Sequence, residues 1–132
     1  MKRLFSCFTV LALVCLASAA LAADVPNLVG TWEGAPSVHS ITGGHYTGKL
    51  VLTIVGQKGN AFHGTKVYKM PAPEKDRSEN FSGTISSTGQ IFIADHEEGF
   101  MVGVRTKNGD MELQYGHNGK TAVAVHVVLK RK

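Results

Sequence analysis

Only two cysteines occur, Cys7 and Cys15, and both fall within the first 22 residues. If that stretch is removed on export, the chain has neither a disulfide nor a thiol nucleophile, even in an oxidising compartment. Beyond those residues no apolar run is long enough to span a bilayer, so membrane insertion is not expected. The helical spacing of apolar residues is also missing after residue 22. Charge of one sign is scarce. Without Lys2 and Arg3, 12 basic residues face 10 acidic ones, and Lys130, Arg131 and Lys132 account for three of the 12. The body is nearly neutral, which excludes the basic footprint of a nucleic-acid binder. No Gly-x-Ser-x-Gly, phosphate-binding loop or dinucleotide fingerprint is present, so no motif specifies a reaction.

The first 22 residues read as an export signal. Lys2 and Arg3 precede an apolar run over residues 4–16, and Ala20-Leu21-Ala22 fits a small-x-small cleavage site. The expected product is exported to the periplasm or the extracellular space. It spans residues 23–132 as one domain, large enough for a modest core. A lipid anchor at Cys15 would need a small residue before it, and Val14 stands there.

What is present is alternation. Eight short runs read as strands: 28–33, 46–55, 61–69, 81–86, 90–94, 100–106, 111–115 and 121–129. Leu50, Leu52 and Ile54 alternate with Val51 and Thr53. Phe81, Gly83 and Ile85 share one face of the fourth run. Asn108-Gly109 marks a tight hairpin, whereas residues 70–79 carry two prolines and five charges and read as a loop. A loose Phe-x-Gly-Thr recurs at Phe62 and Phe81.

Sequential strands with short connections should pair in order. The expectation is an all-β, eight-stranded, antiparallel up-and-down barrel, whose closure removes exposed edges. Two packed sheets are the alternative. In such a barrel the connections after odd strands gather at one rim. That rim would carry the two longest loops, 34–45 and 70–79, and four histidines: His39, His45, His96 and His117. Loops on a rigid scaffold commonly carry function, so this rim is the expected mouth.

Gly30-Thr31-Trp32 resembles the Gly-x-Trp start of the calycin barrels, the lipocalins and avidins. Strand number and size are closer to avidin, and Phe-x-Gly-Thr in the third run is similar to an early avidin strand. The Gly-Thr-Trp-x-Gly opening also resembles small exported bacterial proteins of unassigned function. The resemblance implies a Trp packed across one barrel end and a lumen for a small ligand. Avidin-type biotin sites need several tryptophans and this chain has one, so biotin is not expected.

The expected function is therefore non-catalytic binding of a small apolar or amphiphilic ligand, without a cofactor. Trp32, Tyr46, Phe81 and Tyr115 are the candidate ligand contacts, the tyrosine hydroxyls supplying polar ones. His96 with Asp95, Glu97 and Glu98 is the candidate metal-ligating group, although no His-x-His spacing supports it. The alternatives are an exported protease inhibitor acting through residues 23–27 and, further off, a metal-dependent enzyme. The last run is apolar on both faces. Val51, Val55, Ala122, Ala124 and Val128 are thus candidates for an outer face that joins a second copy.

Overall fold

A computed structural model describes residues 24–69 and 75–132. The expected export signal lies outside them, as does part of the loop expected over 70–79. The described chain is all β: β1 (Gly30–Gly34), β2 (Ser37–Ser40), β3 (Gly44–Thr47), β4 (Lys49–Lys58), β5 (Ala61–Lys69), β6 (Arg77–Ile85), β7 (Gln90–Asp95), β8 (Phe100–Arg105), β9 (Met111–His117) and β10 (Val123–Arg131). Each strand from β4 to β10 pairs antiparallel with the next, β1 pairs with β4, and β1 closes onto β10 through Trp32 opposite Arg131. The result is a closed eight-stranded barrel.

Ten strands make eight staves because two staves are interrupted. Gly34 faces Leu50 across β1 and β4, and Ser37 faces Thr47 across β2 and β3. Three residues on in one strand is three residues back in the other, so the register runs unbroken. Proline 36 has no N–H to give the ladder, which accounts for the gap between β1 and β2. Its carbonyl accepts instead from the Thr47 hydroxyl at 2.8 Å. The loop expected over 34–45 is therefore largely a hairpin. It lengthens the wall on one side, where β2 pairs with the start of β10.

Alternation decides which side chains meet inside. Every stave contributes to one apolar cluster, from Trp32, Leu50, Leu52 and Ile54 through Ile91, Ile93 and Met101 to Leu113 and Leu129. An eight-stranded barrel is just wide enough for such side chains to fill. The repeated Phe-x-Gly-Thr has a packing explanation. Phe62 faces Gly83 and Gly64 faces Phe81 across β5 and β6. A Cβ on Gly83 would meet the Phe62 ring at 2.5 Å, and one on Gly64 would meet the Phe81 ring at 2.9 Å. Each copy thus supplies a ring and the gap that admits the other copy's ring.

One end is sealed. Trp32 is fully buried, and its indole N–H donates to the Leu28 carbonyl at 2.9 Å. The Arg131 guanidinium lies 4.6 Å from the Trp32 ring centroid and Arg105 lies at 5.9 Å. Gln57 accepts from the Leu28 N–H and donates to the Pro26 carbonyl, tying the entering segment across the end. Arg131 also donates to the Asn27 carbonyl. Pro26 and Asn27, part of the stretch an inhibitor would present, are thus engaged here.

The outer wall carries charges beside residues of the expected patch. Val51 and Val128 flank β1, and between them Glu33 pairs with Lys49 and Lys132 at 2.9 Å each. The broader exposed apolar face lies on β7 and β8, where Phe92 and Phe100 stack with ring centroids 6.3 Å apart beside Val102 and Val104.

Candidate functional site

At the end opposite Trp32, the inward-facing positions change character. On β5 the inward series Phe62, Gly64 continues to Lys66 and Tyr68. On β6 the series Ile85, Gly83, Phe81 runs back to Glu79. On β7, Ile91 and Ile93 lead to Asp95, and on β9 Met111 and Leu113 lead to Tyr115. The same alternation that builds the apolar core therefore places three charges and two phenols in one layer above it.

Cross-strand register brings them together. Lys66 sits opposite Glu79, and Asp95 sits opposite Phe81, whose ring forms the floor. The Lys66 side chain is 1% exposed. Its ammonium bonds the Asp95 carboxylate closely and lies 3.1 Å from Glu79 Oε2. It also lies 4.5 Å from the Tyr115 ring centroid and 5.4 Å from that of Tyr68, inside cation–π range. The Asp95 side chain is wholly buried.

The layer is incompletely satisfied. Among the described residues, Asp95 Oδ1, Glu79 Oε2 and the Tyr68 hydroxyl are buried and make no hydrogen bond. Glu79 Oε2 is close enough to Lys66 for an ion pair, but not aligned for a hydrogen bond. Burial pushes the Asp95 carboxyl above the usual carboxylate range against the pull of Lys66, and Glu79 adds to the rise. Burial also drives the Tyr68 phenol well above its ordinary value, and the Tyr115 phenol is pushed up to about 12. Both phenols keep their protons at neutral pH and stay available as donors.

The β7–β8 turn completes one side. The His96 N–H donates to the Asn80 carbonyl at 3.0 Å, which pins the turn to β6. Gly99 has φ +93°, and a Cβ there would lie 2.5 Å from the Tyr115 hydroxyl. Glycine at this corner lets the turn close over the phenol, which donates to the Glu98 carbonyl at 3.1 Å. His117 Nδ1 is also 3.1 Å from that hydroxyl, and His117 Nε2 donates to the Thr121 carbonyl at 2.7 Å.

The four candidate ligand contacts separate. Tyr115 belongs to the layer, and half-buried Tyr46 faces inward beside Val38. Phe81 lies beneath the layer. Trp32 is at the sealed end, because its strand position pairs it with Leu52 and Arg131. The four histidines share the rim but not one site. His39 and His45 pack against each other on the outer face of the β2–β3 hairpin, ring centroids 4.3 Å apart and planes tilted by 40°. His96 is exposed in its turn, and only His117 reaches the layer. Among the described residues no group of three or more His, Cys, Asp or Glu is placed to hold a metal ion. Lys66, Glu79 and Tyr68 were not singled out in the sequence. The signal was their even spacing from Phe62 and Phe81.

Fold and site together define a small closed β-barrel, sealed at one end and polar at the other, an architecture compatible with the calycin barrels. No family model, curated protein or solved structure matches the chain.

Proposed function

We propose that the protein is an exported, non-catalytic binding module that holds one small amphiphilic molecule at the mouth above Phe81. The carrying observation is the layer of Lys66, Glu79, Asp95, Tyr68 and Tyr115, with three buried polar atoms that make no hydrogen bond. A scaffold that needed only stability would gain from apolar residues in these positions, because buried ion pairs commonly contribute less than well-packed hydrophobic replacements. Polar groups converging beside an apolar surface are the usual makeup of a small-molecule site. The Gly-x-Trp resemblance to calycin barrels supports the same reading, and the single tryptophan argues against biotin. The layer also lacks a nucleophile next to a free base, which favours binding over catalysis.

The test is native mass spectrometry of protein purified from its own host, followed by NMR mapping of the retained molecule. A retained species that perturbs the amides of Lys66, Asp95 and Tyr115, and not those of Trp32 and Leu28, is the expected result. Bare protein whose mouth amides respond to no amphiphile would sink the proposal.

A further inference from the structure

We infer that the molecule taken at this mouth carries a compact protonated amine, received by Asp95 Oδ1, Glu79 Oε2 and the Tyr68 hydroxyl oxygen beside the rings of Tyr68 and Tyr115. The inference rests on the binding reading above and narrows its ligand class. Three observations carry it. First, the buried layer holds one ammonium against two carboxylates, and the exposed Arg77 and Glu98 that also act on Tyr115 add one charge of each sign, so an arriving ammonium balances the mouth while an arriving anion adds to the excess. Second, among the described residues Asp95 Oδ1 makes no hydrogen bond and Glu79 Oε2 is held by Lys66 as an ion pair alone, so both oxygens keep acceptor capacity. They call for N–H donors, and covering them with an apolar group would leave them buried and unsatisfied. Third, the Tyr115 and Tyr68 rings already attract one ammonium, that of Lys66, at 4.5 and 5.4 Å. The walls are thus built for cationic charge.

A carboxylate ligand is the main competitor, since Lys66 is a cation in a barrel. It is disfavoured because Lys66 is already engaged by Asp95 and Glu79. An anion would have to displace one of them and leave that carboxylate buried without its partner.

The experiment titrates the full chain separately with n-butylammonium, butyrate and 1-butanol, three head groups on one carbon skeleton. Amide shifts at Lys66, Asp95, Gly99 and Tyr115 are read by NMR. Saturable shifts with n-butylammonium, and none with butyrate, are expected. Glu79→Gln and Tyr68→Phe should each weaken n-butylammonium binding about tenfold, the loss typical of one hydrogen bond or charge contact. Tyr68→Phe removes only a hydroxyl without a partner, so it keeps the test readable if Glu79→Gln perturbs folding. Saturation by butyrate or butanol in place of the amine overturns the amine class and leaves the mouth as a binding site. Silence with all three probes overturns it too. In that case a molecule retained by the host-purified protein separates a wrong head group from a mouth that binds nothing.

Discussion

The two ends of this barrel are built from the same alternating pattern yet treat polar groups in opposite ways. At the sealed end the Trp32 indole N–H, the Gln57 amide and the Leu28 N–H are all bonded to one another or to backbone. One buried hydroxyl there, Thr106 Oγ1, lacks a partner. At the mouth, among the described residues, three buried polar atoms make no hydrogen bond, two of them on carboxylates. Leaving a buried carboxylate oxygen unmatched is costlier than leaving a hydroxyl that can rotate. The contrast teaches where the fold spends its stability: the sealed end closes the barrel, and the mouth is maintained at a cost.

The strongest way to break that comparison is to open the sealed end. Trp32→Ala removes the largest fully buried side chain and should destabilise by about 4 kcal/mol, the usual cost of an aromatic-to-alanine cavity. Denaturant unfolding measures it. A loss below about 1 kcal/mol would mean that Arg131 and Leu28 seal the end without the ring.

At the mouth, Lys66→Met should come next. It strands two carboxylates in a buried layer and should cost about 3 kcal/mol at neutral pH. The deficit should shrink on acidification. Without Lys66 nothing offsets the burial that raises the Asp95 carboxyl. Its stabilising contribution is present below the unfolded value of about 4 and is lost as pH rises through the folded one. Urea midpoints for the variant and the parent at pH 4 and pH 7 give the comparison. A deficit that stays constant with pH would indicate lost packing, not uncompensated charge.

Much of the barrel was legible because period two is a strong signal once a core face is known. The eight staves, their order and the shared rim follow from short connections and alternating runs such as 50–54 and 81–85. What escaped was the ends of strands. Alternation starts the fourth run at Phe81 and stops the fifth at Ala94, because the segment 70–79 before one and the residues after the other are rich in charge, and charge reads as turn. In the fold β6 begins at Arg77 and β7 ends at Asp95, which puts Glu79 and Asp95 on inward positions. Lys66 lies inside the third run, on the face it shares with Phe62, but its charge masks that inward position. The β2–β3 hairpin was read as loop because Pro36 and Gly43-Gly44 punctuate it, although its register continues that of β1 and β4. Trp32 was legible as a barrel-end residue but not as belonging to the end away from the histidines.

A smaller effect sharpens the account of the mouth. Tyr68→Phe removes a buried hydroxyl that bonds nothing. Stability should stay within about 1 kcal/mol of the parent, on the stabilising side, since no partner is lost and a desolvation cost is relieved. Thermal unfolding monitors it. A clear destabilisation would show that the hydroxyl has a structural partner, and the mouth would then resemble the sealed end.

The smallest expected effect concerns the sign of pH dependence. Glu33, on the outer wall, is held below the usual carboxylate range by hydrogen bonds from Lys49 and then Lys132. A lowered carboxyl contributes stability above its unfolded pKa and loses it as pH falls through the folded one. Asp95 has the opposite sign, because its raised carboxyl favours the fold on the acid side and weakens it as pH rises through the folded value. Glu33→Gln should therefore flatten the loss of stability in acid, and the change should vanish in high salt, since exposed pairs are screened. Asp95→Asn should instead remove a loss seen towards neutral pH and be insensitive to salt, since its site is buried. Salt-insensitive behaviour at both positions, or the same sign at both, would dissolve the distinction between a solvated wall and a buried polar mouth.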